Sequence, residues 1–377
     1  MAAIDRSRPP PEQDGSKRIT PTLFGIPLGL AGLGGAWHAT EPLLGTASAV
    51  PNAVYILAAG VWLGLVVAYA AQGPRSILAD LRDPVQTPFP SLAVITPMIL
   101  GAALATAAFT AGRILVMIFL AMTTALGGWL TGQWMTGAVT TDALHPGYYL
   151  PTAAGGLVGA AAAAQVHLHA LAEASFGIGI LSWLLLGSML LNRAYVRPML
   201  AAPLVPLLAV HFAPPVVAGV AYFALTGATY TDISAAFGGY AVLMAVAQLR
   251  FIPLYARLRF SLGFWAFTFP YAAGATDALM WLTATRPGGA SAYAVVVIVL
   301  ITMFIAGIAV RTVVAAFRRQ LPAGPGRPRS LIAVTARHGY WPSGCASTSD
   351  RSGLMPSDDM LRGRMHLWIC DRTDIRW

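Results

Sequence analysis

The chain has 377 residues, 56% of them hydrophobic and only 10% charged, with a net charge of +9. Soluble domains run near 25% charged, so a water-covered surface of ordinary composition is excluded. The apolar residues come in blocks of roughly 20, enough to span a hydrocarbon core of about 30 Å, and the positive charge lies between the blocks, where it argues for orientation in a bilayer and not for nucleic acid.

The first 20 residues, MAAIDRSRPPPEQDGSKRIT, are polar and Pro-rich. They lack the charged start and apolar stretch of a secretory leader, so they read as an uncleaved cytoplasmic tail. Ten apolar segments follow, near 21–38, 50–72, 89–110, 113–135, 149–170, 174–193, 198–226, 233–250, 260–284 and 290–317. The expected fold is therefore an all-α integral membrane protein of about ten transmembrane helices. Runs such as GLAGLGGA and AAGGLVGAAAAA bring small residues to helix surfaces, where they let backbones approach closely in lipid. From 318 to 377 the chain is polar and punctuated by Pro and Gly, without helical periodicity, and reads as a disordered cytoplasmic tail. Its two cysteines, Cys345 and Cys370, have no metal-type spacing.

The loops set the orientation. One side carries sixteen basic residues: Arg6, Arg8, Lys17, Arg18, Arg75, Arg82, Arg193, Arg197, Arg250, Arg257, Arg259, Arg311, Arg318, Arg319, Arg327 and Arg329. The other side carries Arg113 and Arg286. This asymmetry places both termini in the cytoplasm of a multi-pass plasma-membrane protein, or of an inner-membrane protein in a bacterium.

Proline follows the alternation of the spans. Pro27 lies in span 1, Pro97 in span 3, Pro151 at the start of span 5, Pro203, Pro206, Pro214 and Pro215 in span 7, and Pro270 in span 9. The even-numbered spans have none in their interiors. Proline removes a helical hydrogen bond and bends the helix. Bent helices are tolerated inside a bundle or along a watery cavity and not against lipid. The pattern predicts five hairpins of one bent and one straight helix, with the bent odd-numbered helices as an inner ring around a central path. Prolines are also common in membrane helices generally, which is the competing explanation.

The bent segments carry almost no charge. Pumps and coupled carriers place ionisable groups at membrane depth, whereas a path of Gly, Ala, Thr, Ser and Phe suits rapid, gated passage. Asp277 in span 9 and His211 in span 7 are the exceptions and the candidate proton sites, although Asp277 is also placed to be simply wet near the outer interface. His167 and His169, with Glu173 behind them, have no second pair at fitting spacing, so no metal or cofactor is expected. With no Ser/His/Asp or phosphate-loop motif either, the chain does not read as an enzyme.

Three stretches, FGIPLGLAGLGGAW (24–37), HPGYYLP (145–151) and GFWAFTFPYA (263–272), resemble the tellurite-resistance TehA and C4-dicarboxylate transporter family. That family includes fungal malic-acid permeases, sulfite efflux pumps and the slow-type anion channels of plant guard cells. The resemblance covers about residues 20–317. It implies a quasi-fivefold ten-helix anion channel or transporter, often a homotrimer, whose ninth helix carries a pore-occluding phenylalanine. The corresponding residue is Phe269, with Phe267 its close competitor. Phe24, Gly25, Pro27, Gly29, Pro97, Pro151, Pro214 and Pro270 are the expected pore-lining or kink positions. Expected substrates are small inorganic anions, tellurite-like oxyanions or C4-dicarboxylates. A proton-coupled malate-type carrier using Asp277 or His211 is the alternative. Asp277 departs from the small polar residue that the family pattern leads us to expect.

Overall fold

The computed structural model describes residues 18–137 and 139–318, and among them it is helical with no strand. The two tails, 1–20 for all but its last three residues and 318–377 beyond its first, lie outside the described residues. The elements are α1 (Gly25–His38), α2 (Glu41–Leu44), α3 (Ala49–Ala70), α4 (Pro74–Arg82), α5 (Ser91–Leu104), α6 (Phe109–Met135), α7 (Gly155–Gln165), α8 (His169–Val196), α9 (Ala213–Thr226), α10 (Asp232–Ala256), α11 (Thr268–Thr285) and α12 (Ala290–Phe317).

Among the described residues, six stretches are long and apolar enough to cross a membrane: α3, α6, α8, α10, α12 and the continuous run Ala202–Thr226 that ends in α9. The first five are only 11–28% buried over their apolar windows, whereas the Ala202–Thr226 run is 78% buried. Such helices, hydrophobic on every face, stay exposed only in lipid. Ile56, Leu57, Leu63 and Val67 of α3, and Leu181, Leu184 and Leu185 of α8, are exposed apolar side chains of this kind. The protein is accordingly a multi-pass membrane protein. The shorter helices are the buried ones: ten of the eleven residues of α7 and nine of the fourteen of α1 are buried.

Each short helix packs on the long helix beside it in sequence: α1 on α3, α5 on α6, α7 on α8, α9 on α10 and α11 on α12. The short helices also touch one another, α1 with α5, α5 with α7, α7 with α9, α9 with α11, and α11 with α1. Glycine permits the closest of these approaches. A Cβ on Gly156 of α7 would stand 2.6 Å from the backbone nitrogen of Gly179 in α8, and one on Gly29 of α1 would collide with the Thr268 side chain of α11.

The prolines act differently from the expected mid-helix bend. Pro27, Pro214, Pro215 and Pro270 fall in the first turns of α1, α9 and α11. Before them the chain runs in tighter 3-10 turns, at Pro21–Phe24, Ala202–Phe212 and Leu262–Phe267. Pro151 lies in a π-helical turn, Leu150–Ala154, that leads into α7. Only Pro97 sits mid-helix among the expected kink residues. Four of the five segments therefore change helix type close to a proline, while α5 stays α-helical around Pro97. One boundary also shifts: α10 runs on to Ala256 and holds Pro253 in its last turn, past the expected end of that span.

Near the first span, Arg18 pairs with Asp80 of α4 at 2.6 Å, and Tyr69 Oη donates to the other carboxylate oxygen at 2.9 Å. Gln72 donates to the Ile19 carbonyl. These bonds tie the segment leading into α1 to the amphipathic α4.

Candidate functional site: two cavities meeting at a phenylalanine

Two cavities lie among the buried helices. The larger, of about 480 Å³, opens where Thr20, Thr22, Arg257, Arg259 and Ser261 gather. The smaller, of about 130 Å³, is lined by Gly35, His38, Gln165 and Met280 from the opposite ends of α1, α7 and α11. Only Val217 and Phe269 line both.

Phe269 is the second residue of α11 and is 9% exposed. The 3-10 turn Leu262–Phe267 ends just before it, and Thr268 Oγ1 fastens the junction by donating to the Trp265 carbonyl at 2.8 Å. Gly32 of α1 faces the ring: a Cβ there would be 3.1 Å from its Cδ2. Phe267 points elsewhere. Its ring packs edge-on against Tyr255 at 4.8 Å and near Phe264 at 5.5 Å, and it borders neither cavity.

Of the other expected pore residues, Gly25, Pro214 and Pro270 border the larger cavity. Phe24, Pro27, Gly29, Pro97 and Pro151 border neither. Phe24 is buried edge-on to Tyr69 at 5.8 Å, and Gly29 serves the α1–α11 contact. Asp277 and His211 are also off both cavities. Asp277 is 4% exposed and packs on Gly219 of α9, with its Oδ1 lacking a hydrogen-bond partner. It is therefore buried between helices and not wet, contrary to one of the two expectations for it. His211 Nδ1 lies 3.4 Å from Tyr149 Oη. His167 takes a left-handed turn (φ 57) and His169 begins α8, so both join helices instead of ending a span. No group of three His, Cys, Asp or Glu that could hold a metal exists among the described residues.

The larger cavity has one notable electrostatic property. Gly25, Ala213 and Phe269–Pro270 border it from the starts of α1, α9 and α11, as do Leu92 in the first turn of α5 and Ala154 just before α7. These are junctions and not free helix ends, since the N–H groups of Gly25, Ala213 and Thr268 donate to carbonyls of the preceding 3-10 turns. The charged residues on its lining are Arg257 and Arg259.

His145, in the HPGYYLP stretch, turns out to be structural. It is fully buried; Nε2 donates to the Val85 carbonyl at 3.1 Å, and Nδ1 accepts from Gly147 N–H at 3.2 Å. Its ring stacks on Phe89 at 5.5 Å, and Phe89 borders the larger cavity. Burial pushes the imidazole down to about 4, so it stays neutral near pH 7 and holds its two bonds. Tyr148 Oη adds a bond to the Pro84 carbonyl at 2.7 Å.

Sequence reading missed four residues here. Arg257 and Arg259 were counted only for orientation, Gly32 was one small residue among many, and Val217 carries no signal of its own.

The sequence profile of the SLAC1 family, described as voltage-dependent anion channel, matches residues 18–313, which is nearly all of the described chain. The chain belongs to this family. It is also similar to the tellurite resistance protein TehA homolog of Haemophilus influenzae, 27% identical over 286 residues, covering 72% of this chain and 84% of that protein. Family membership makes the transported substrate anionic and the protein a channel or transporter. It agrees with the resemblance noted in the three sequence stretches.

Proposed function

We propose that this protein is a passive or weakly coupled anion permease whose path runs through the two cavities and is closed by Phe269. The observation that carries the reading is that one phenyl ring borders both cavities. The lining around it is apolar and the charged residues of the larger cavity are the cationic Arg257 and Arg259, which suits an anion that binds weakly and moves on. Small inorganic anions, tellurite-like oxyanions and C4-dicarboxylates are the substrate classes, tellurite being suggested by the name of the Haemophilus relative. Planar-bilayer recording across a panel of these anions, with cations exchanged as the control, tests the reading: current that follows the cation would sink it.

The contacts of the five short helices, each with the next and the last with the first, support a quasi-fivefold arrangement of ten spans as five hairpins. In it the transport domain is 21–317, flanked by cytoplasmic segments 1–20 and 318–377, in the plasma membrane or a bacterial inner membrane, and the assembly is a homotrimer. The basic asymmetry supports this orientation. In a Cys345→Ser, Cys370→Ser background, a cysteine at position 286 should react with an impermeant thiol reagent in intact cells. A cysteine at 257 should react only after permeabilisation. Outside labelling at 257 would refute the orientation.

The proton-coupled reading needs Asp277 or His211 beside the anion, and neither borders either cavity. Asp277→Asn keeps the shape of the side chain against Gly219. It should leave anion flux within about twofold of the parent, as for a change remote from the path, with the same pH dependence. Loss of flux together with loss of pH dependence would favour the carrier.

A further inference from the structure

We propose that Arg257 and Arg259 form an electrostatic mouth on one side of the path and make anion conduction asymmetric. The inference rests on the anion-path reading above.

Both arginines line the larger cavity and are exposed. They follow α10 directly, in the short turn that leads to Ser261 and the 3-10 segment before α11. Neither makes a side-chain hydrogen bond or an ion pair among the described residues. The described acids of the same side are otherwise engaged. Asp80 is paired with Arg18, Asp142 lies 3.6 Å from Arg197, and Asp83 accepts from the Val85 and Gln86 backbone N–H groups. Among the described residues, therefore, no acid offsets the two guanidinium charges at this cavity.

The opposite cavity is different. His38 is its lone basic side chain, and it lies 3.8 Å from the Glu41 carboxylate. The field along the path therefore falls from one end to the other. Uncompensated charge at the mouth of a cavity with low-dielectric walls raises the local concentration of counter-ions. Anions on the arginine side meet Phe269 at a raised local concentration, and anions on the other side do not. Flux out of the larger cavity should exceed the reverse flux at equal and opposite voltages.

The same argument sets the salt dependence. The charges are exposed, so ions screen them: the Debye length is about 30 Å at 0.01 M and about 3 Å at 1 M. Rectification should be strong in dilute salt and vanish in concentrated salt. A steric asymmetry of the path would not respond to salt in this way.

The test is recording in symmetric solutions on the full chain carrying Phe269→Ala, which removes the ring as the dominant barrier. In about 0.01 M salt we expect currents at opposite voltages to differ about threefold, and in about 1 M salt to be nearly equal. Arg257→Gln with Arg259→Gln should bring the ratio near one in both salts. Arg257→Lys with Arg259→Lys should preserve it, and Arg257→Glu with Arg259→Glu should invert it. A ratio that survives the double glutamine change, or that persists in concentrated salt, overturns the proposal while leaving the anion path intact. Absence of any anion current in the Phe269→Ala protein overturns the path reading and this one with it.

Discussion

Phe269→Ala should raise anion conductance by on the order of tenfold or more, since a ring filling a narrow apolar path is a steric and dielectric barrier that truncation removes. The side chain borders open volume on two sides, so its loss joins the 480 Å³ and 130 Å³ cavities and does not leave a sealed void. The stability cost should therefore fall at the low end of the roughly 3–5 kcal/mol of a core Phe→Ala change. Phe267→Ala is the matched control. That ring lies against Tyr255, Phe264 and Tyr271, so its removal should lower stability without opening a path. Single-channel recording and thermal unfolding of both variants check the two expectations. If Phe267→Ala conducts and Phe269→Ala, equally well expressed, does not, the gate has been put on the wrong face of the segment.

The contrast between these two residues shows what could be read from sequence. Phe269 was reachable because it precedes Pro270 in a stretch that resembles a known family. The choice between Phe269 and Phe267 depends on how the chain turns at 268, where a 3-10 turn gives way to an α-helix. Apolar composition is the same on both sides of that junction, so no periodicity marks it. The prolines of four segments lay close to these junctions yet suggested a different shape, a bent α-helix, since a first-turn proline and a mid-helix proline such as Pro97 look alike in a string of letters. Asp277 illustrates the other limit. Its place within the ninth span was legible, but the neighbour that buries it is Gly219, 58 positions away in the chain and without chemistry of its own. Arg257 and Arg259 were visible as charges and mute as lining, because loop charge serves orientation in any membrane protein.

Gly179→Val should destabilise the protein by about 3 kcal/mol, at the upper end of overpacking costs, because the atoms it meets are partly backbone and cannot rotate away. A Cβ at Gly179 would stand 2.8 Å from the Leu157 backbone nitrogen and 2.7 Å from Leu157 Cγ, while Gly156 opposite it has the same problem with Gly179. Helices α7 and α8 would have to separate. In lipid the separated surfaces gain nothing from water, so packing is the interaction that is lost. The effect would also reach the site, since Leu157 borders the larger cavity. Gly177, two residues earlier on α8, makes the comparison internal. A Cβ there meets nothing within 4 Å, so Gly177→Val should change stability by no more than about 0.5 kcal/mol. Thermal unfolding in detergent, with yield of monodisperse protein as a second reading, separates the two variants. Equal stability of the two variants would mean that the close α7–α8 approach is not what holds this part of the bundle.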